Sequence, residues 1–374
     1  MSEPAAHSML PEEWAATLGE RSFRGRQIFR WIHAHGLTDP AKMTDLGKDL
    51  RERLAEVDLR EPAEVAHVHR SADGTRKLVL ELSGGARVEC VLIPMTRESD
   101  ADVAAAPEED EDDEPASVPR QRVTLCISTQ FGCAMGCVFC ASGQAGLLRG
   151  LSAAEIVAQV AVARRYLEPN EDLRNLVFMG MGEPLHHYDE TARALRVLTH
   201  PDGFAISPRR ITVSTVGLVP GIKKLGADFG GKVGLAVSLH APDDATRDRI
   251  VPMNARYGVD ALMRALREYP LPRRRRITLE YTLIEGVNDS AEHAQKLARL
   301  LSGMPVKVNL IPMNSIAASE LGAPPSATVE RFREALARTH LSCFVRTRRG
   351  DDVSAACGQL ALENDLVPLR TGAG

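Results

Sequence analysis

No apolar run in this 374-residue sequence approaches the roughly 20 residues that cross a bilayer, so no membrane partner is expected. The start, Met1-Ser-Glu-Pro-Ala-Ala-His7, has neither a basic segment nor an apolar stretch, and no secretory signal is read there. A disulfide framework is also missing. Of seven cysteines, three are clustered between 133 and 140, which fits a reducing cytoplasm. Nor is there an excess of positive charge: the net charge of −4 argues at first against a nucleic-acid partner. That average hides an asymmetry. Glu98 to Glu114 carries ten acids and no Lys or Arg; outside it, 46 basic residues face 40 acids, a balance of +6. The block Pro107-Glu-Glu-Asp-Glu-Asp-Asp-Glu-Pro115 repels itself and is expected to be a disordered linker. The mildly basic remainder has clusters at Arg273–Arg276 and at Arg346, Arg348 and Arg349, which suit phosphates or simply a solvated surface.

What the sequence does contain is Cys133-Ala-Met-Gly-Cys137-Val-Phe-Cys140. Three thiolates at offsets of four and three can each hold one iron of a cubane cluster. The fourth iron is then open to a small molecule that receives an electron. Gly132 and Gly136 flank the first two cysteines, where a chain wrapping a compact cluster needs unusual φ/ψ. The competing reading is zinc with Cys126 as fourth ligand. Zinc sites usually pair two short spacings, whereas this triplet is single, so iron–sulfur is favoured.

Residues 1–60 read as a small helical domain, with Ile28, Phe29, Trp31 and Ile32 on one apolar face and Leu46, Leu50 and Leu54 at helical spacing. Residues 61–96 alternate. Thr75–Leu82 and Ala86–Ile93 read as strands joined by Ser83-Gly84-Gly85, a β-hairpin extension. The acidic linker occupies 97–120. From 121 to 350 strands and helices alternate, with strands at Val123–Ser128, Asn175–Met181, Arg210–Thr215, Val233–His240, Arg276–Ile284 and Val306–Asn314. Helices fall between them, among them 151–165, with Ser152 and Glu155 in capping-box spacing, and 291–301. Six strands with intervening helices give an α/β fold with a parallel sheet, a partial (β/α)6 barrel or else a doubly wound sheet. A C-terminal segment, 351–374, carries Cys357 in Ala355-Ala-Cys-Gly-Gln359. Cys357 suits an accessible thiol that nearby arginines would shift towards thiolate. Cys90 and Cys343 are assigned to buried apolar packing.

The strand ends carry small and polar residues: Gly180-Met-Gly-Glu-Pro184, Ser214, Ser238-Leu239-His240 and Asn314. Singly each is a turn or cap residue; together, after a cluster strand, they suggest a polar small-molecule pocket.

With these residues in place the chain resembles the radical S-adenosylmethionine enzymes, and more narrowly the bacterial RlmN family of RNA adenine-C2 methyltransferases. The resemblance spans nearly the whole chain. It rests on Thr124–Cys140, on Gly180–Pro184, on Arg209–Pro220 and on Val345–Leu360. It implies a partial radical-enzyme barrel behind a small RNA-binding helical domain. Cys133, Cys137 and Cys140 would hold a [4Fe–4S] cluster, with S-adenosylmethionine chelating the open iron. Gly182, Glu183, Ser214, Ser238, Leu239, His240 and Asn314 would line its pocket. Cys357 would take a methyl from one S-adenosylmethionine. A 5′-deoxyadenosyl radical from a second would abstract hydrogen from that methyl, and the carbon would add to adenine carbon 2. Cys126 would release the product through a transient disulfide with Cys357, and Glu89 matches the family's proton acceptor. The implied partners are one adenine of 23S rRNA, the adenine 3′ of the tRNA anticodon and an electron donor such as a flavodoxin with its reductase. A cytoplasmic monomer is expected. The chain departs from the family's usual pattern in its acidic linker and in His187, where many relatives carry Asn. The alternatives are a carbon-8 adenine methyltransferase, a radical enzyme acting on a peptide or small molecule, and a zinc-stabilised RNA-binding module without catalysis.

Overall fold

The structure, a computed structural model, describes residues 5–95, 120–317 and 319–360. The acidic run from Glu98 to Glu114, nearly all of the expected linker 97–120 and the expected C-terminal segment from 361 onward lie outside the described residues.

Three helices come first: α1 (Pro11–Thr17), α2 (Ser22–His33) and α3 (Lys48–Leu54). Helix α2 buries Ile28, Phe29, Ile32 and His33. Trp31, expected on the same face, is only half-buried, and its indole N–H donates to Asp45 at 2.5 Å. Helices α1 and α2 cross at Gly25, where an added Cβ would stand 1.9 Å from the Pro11 carbonyl oxygen. Arg193 donates to both oxygens of Glu13 at 2.8 and 2.9 Å and fastens these helices to the rest of the molecule.

The sheet has ten strands: β1 (Ala63–Arg70), β2 (Arg76–Leu82), β3 (Arg87–Pro94), β4 (Gln121–Cys126), β7 (Glu171–Phe178), β8 (Ile211–Thr215), β9 (Gly234–Ser238), β10 (Ile277–Leu283), β11 (Val306–Pro312) and β12 (Ser342–Val345), neighbours in that order. A ribbon of β5 (Gln130–Gly132) and β6 (Leu147–Gly150) stands apart. From β1 to β4 the pairing is antiparallel; from β4 onward it is parallel. The expected hairpin is β2–β3, and β1 adds a third strand that the sequence reading lacked. The six expected barrel strands all form, and the short β12 makes a seventh. Each parallel strand lies beside the next in sequence, without the reversal that defines a doubly wound sheet, so the fold is barrel-like. Among the described residues β1 and β12 do not pair, so the barrel is open.

Register separates the two faces of this sheet. Ser214 pairs with Ala236, and Ser238 and Asn309 both pair with Glu280, so these residues share one face. Val213, Leu235, Val237, Leu279, Val308 and Leu310 point to the other, and all are buried in the main apolar core. That core lies between the sheet and its helices, including α4 (Ala141–Ala145), α5 (Ala153–Arg164) and α6 (Tyr188–Thr199). Helix α5 starts as its sequence dictates: Ser152 accepts from the Glu155 N–H while the Glu155 carboxylate accepts from the Ser152 N–H.

The segment after β12 spans the opening of the sheet. The Gly350 N–H donates to Asp73 at 3.0 Å, the Ala72 N–H to Asp352 at 3.1 Å and Lys77 Nζ to the Ser354 carbonyl at 3.4 Å. The turn between β1 and β2 therefore holds the segment that leads to Cys357. No described helix is long and apolar enough to cross a membrane.

Candidate active site

The C-terminal ends of the parallel strands open into a cavity of about 140 Å³. Cys133, Cys137 and Cys140 form one wall and Cys357 stands on the same lining. Gly182 and Glu183 come from the turn after β7, Ser214 from β8, Ser238 and His240 from the end of β9, and Asn314 from just beyond β11.

The cysteine loop is shaped by its glycines. Gly132 has φ +77°, and a Cβ there would meet the Gly146 carbonyl oxygen at 1.8 Å, so only glycine fits. Gly136 has φ +68°. Behind the loop lies a separate apolar cluster that includes Met135, Ile250, Val251 and Ile284. Burial pushes the Cys133 thiol up to about 12 and raises Cys137 and Cys140 as well. In that setting only a bound cation makes thiolates favourable.

Glu183 is 3% exposed. Its carboxylate accepts the N–H groups of Leu185 at 3.0 Å and Val216 at 2.8 Å, which aim it, while burial pushes it up to about 7. Its own N–H donates to Gln130 Oε1 at 2.9 Å. Gly182, with φ +103°, lies against the same glutamine, where a Cβ would come within 2.5 Å. His240 has φ +56° and packs edge-on to Phe139. Its Nδ1 accepts the Thr282 N–H at 2.9 Å, so Nε2 carries the proton, and burial lowers the ring to about 3, keeping it neutral. Asn314 donates Nδ2 to the Cys357 carbonyl at 2.9 Å while its Oδ1 is buried without a partner. A buried acceptor left open at a cavity wall is a place for a ligand donor. The three clustered cysteines, the forced glycines, the apolar backing and this open oxygen fit an iron–sulfur cluster with a polar ligand beside it.

Leu239 is the exception among the expected pocket residues. It is fully buried behind the wall, its carbonyl taken by Arg247 at 2.9 Å and its N–H by the Glu280 carbonyl at 3.0 Å.

Cys357 is drawn to the cysteine loop. The Ala141 N–H donates to the Gly358 carbonyl at 2.8 Å, and Ser142 donates to the Leu360 carbonyl. Burial raises the Cys357 thiol, and the hydrogen-bonded Arg346 guanidinium opposes that rise, as the sequence reading expected of an arginine folded back on it. Cys126 ends β4, buried and pushed up to about 12, close enough to Cys357 for the two to feel each other's charge. All seven cysteines are free, so the implied Cys126–Cys357 disulfide is not formed. Cys90 is buried as expected; Cys343 is only half-buried.

Glu89 lies on β3. It is 1% exposed, and Lys77 Nζ stands 3.1 Å from its carboxylate. In the β2–β3–β4 register it shares the inner face with Cys126. Ser128 joins it to the cavity, donating to the Glu89 carbonyl at 2.6 Å and accepting the Met181 N–H at 2.8 Å. Sequence reasoning missed Glu280, an acid on the inner face of β10 whose carboxylate accepts from Asn309 at 3.3 Å and which lines the cavity. The alternation Thr278-Leu-Glu-Tyr-Thr282 would have singled it out. The basic clusters also separate. Arg273–Arg276 precede β10, at the end of the sheet away from the cavity; Arg346 follows β12, at the cavity end.

Comparison with known proteins agrees with this geometry. Residues 8–59 match the ribosomal RNA large subunit methyltransferase N-terminal domain, and residues 127–300 the Radical SAM superfamily. The dual-specificity RNA methyltransferase RlmN of Sorangium cellulosum is 59% identical over 98% of this chain and 97% of its own. The chain belongs to the RlmN family. The protein of the same name from Anaeromyxobacter dehalogenans is 46% identical over 95% of this chain and 91% of its own. A crystal structure of a radical SAM methyltransferase from Sphaerobacter thermophilus superposes with a TM-score of 0.83 at 40% identity, covering 96% of this chain and 99% of that one. Like the other RlmN-family members, this protein is a radical SAM methyltransferase, and its non-catalytic zinc-module alternative falls away.

Proposed function

We propose that this protein methylates carbon 2 of adenine in RNA, at one adenine of 23S rRNA and at the adenine 3′ of the anticodon in tRNAs. One observation carries the reading: Cys357, far from the clustered cysteines in sequence, is fixed on the wall of their cavity by Asn314 and by Ala141.

Cys133, Cys137 and Cys140 would hold a [4Fe–4S] cluster, which when bound supplies the electron that cleaves S-adenosylmethionine. Gly182 and Glu183 with the Ser214 and Ser238 hydroxyls would receive the ligand's ammonium and ribose. Asn314 Oδ1 would accept from it, and the neutral His240 ring would offer its Nε2 proton. Leu239 acts from behind, holding the strand end. Cys357 accepts a methyl group by polar displacement, its thiol proton leaving as the sulfur–carbon bond forms; Arg346 favours that thiolate. Once that methyl has given up a hydrogen atom to the radical the bound cofactor would supply, its carbon, still carried on Cys357, would join adenine carbon 2. Glu89, beside Lys77, would accept the proton lost from adenine carbon 2 as the adduct gives up one electron. Cys126, its thiol proton lost, would then attack the Cys357 sulfur; the sulfur–carbon bond breaks, the released carbon takes up a proton to become the methyl group, and a Cys126–Cys357 disulfide is left for an external reductant to reopen. The cavity-end arginines and the N-terminal helices would meet RNA, and a base paired in structure must be exposed first. A flavodoxin with its reductase is the expected electron donor, for a monomer working in the cytoplasm.

The test uses full-length protein loaded with iron and sulfide without oxygen, a short rRNA fragment and a labelled methyl donor. Cys357→Ala is expected to keep its iron and its visible absorption while label in the RNA falls to background. Methylation by the variant would overturn the proposal. Mass mapping of the product base separates carbon 2 from carbon 8.

A further inference from the structure

Arg247, on a helix spanning Asp244–Ile250, has no part in the chemistry above, yet it is among the most deeply buried cations in the molecule, 1% exposed. It sits directly behind the cavity wall. Nε donates to the Leu239 carbonyl at 2.9 Å, and Nη2 to the carbonyls of Val216 at 2.5 Å and Ser238 at 3.1 Å. Nη1 donates to Asn254 Oδ1 at 2.9 Å. All four acceptors are neutral. The acids of the region, Asp244 and Asp248, are held one residue away, accepting from Asn254 Nδ2 at 2.8 and 2.7 Å. Among the described residues Arg247 makes no ion pair.

A guanidinium at this depth, bonded only to neutral groups, is unfavourable without a nearby negative charge. Burial accordingly pulls it down to about 10, opposed first by Cys137 and after it by Asp244 and Asp248, neither of which it contacts. The cysteine loop is tied to the same helix, with the Val138 N–H donating to the Ile250 carbonyl at 3.1 Å. The strands that Arg247 touches bring no charge of their own to it. Three thiolates around an iron–sulfur core carry a net negative charge, which each added electron increases.

We propose that Arg247 is a positioning residue whose counter-charge is the iron–sulfur assembly held by Cys133, Cys137 and Cys140. It eases one-electron reduction of that assembly while pinning the ends of β8 and β9 beside it. This rests on the cluster reading above, and the experiment separates the two.

Wild type, Arg247→Met, Arg247→Gln and Arg247→Lys would be prepared as full-length chains, with and without anaerobic iron–sulfur loading. Iron and sulfide per chain, spin-resonance-monitored redox titration and melting temperature are measured on each. Removal of the charge in the Met and Gln variants is expected to lower the ratio of reduced to oxidised cluster at a fixed potential about tenfold, or about 59 mV for one electron. Lys should retain most of the wild-type value. Loading should raise the melting temperature more in wild type than in Met, because wild type alone carries a buried cation whose charge the loaded assembly would balance. Where Met fails to fold, Gln against Lys decides: equal potentials in those two overturn the proposal. Full iron loading of Met with an unchanged potential and an unchanged gain in melting temperature also overturns it and leaves the cluster reading standing. Wild-type protein that takes up no iron overturns both.

Discussion

At the scale of single residues, Glu183 joins geometry to titration. Its carboxyl lies above its ordinary 4.5, at about 7, because it is buried. The folded, ligand-free protein therefore binds more protons than the unfolded chain between those values, and this residue's contribution to stability falls as pH rises through that window. A cationic ligand needs the carboxylate, so S-adenosylmethionine affinity should rise with pH up to about 7 and level off above it. In Glu183→Gln that slope should vanish and affinity should drop roughly 10- to 100-fold, the worth of a charged hydrogen bond, as calorimetry at several pH values would show. For Cys126→Ala, the step after carbon–carbon bond formation should stall. A covalent RNA–protein adduct is expected on a denaturing gel, and normal turnover without one would sink the two-cysteine scheme. The sequence named most of these residues because cysteine spacing and Gly-Glu-Pro turns are local signals. Glu280 was missed, since burial on the inner face depends on which strands become neighbours.

At the scale of elements, glycine geometry is more decisive than helix propensity. The cysteine loop closes only because Gly132 lets the Gly146 carbonyl approach. Gly132→Ala should cost about 1–3 kcal/mol from its positive φ alone, with the backbone clash in addition. Iron content after reconstitution should fall well below that of the wild type while far-ultraviolet circular dichroism stays close to it. The capping box at Ser152 and the helix over Ala291–Leu301 were fully legible, because both are written in adjacent residues. Two strands were not. The polar β1 alternates weakly, and β12 is four residues long, too short for periodicity to speak; both are fixed by neighbours already in the sheet.

For the whole molecule, the joint between the N-terminal helices and the barrel is a buried histidine. His33 packs on Phe29 and Phe204 with ring centroids 4.4 and 5.3 Å away, and its Nε2 has no partner. Burial, with His7 and His200 beside it, lowers it to about 3. Here the unfolded chain binds more protons below about 6.5, so stability is lost as pH falls, by about 1.4 kcal/mol per unit. His33→Leu should flatten the fall in melting temperature between pH 7 and pH 5.

The ten-stranded sheet carries a further consequence. Its oily side faces the helices and its wettable side faces the reaction, so cohesion and chemistry occupy opposite surfaces of one layer. Evolution can revise the lining without loosening what keeps the chain folded, and one architecture can pass from substrate to substrate by exchanging hydroxyls and carboxylates along a single rim.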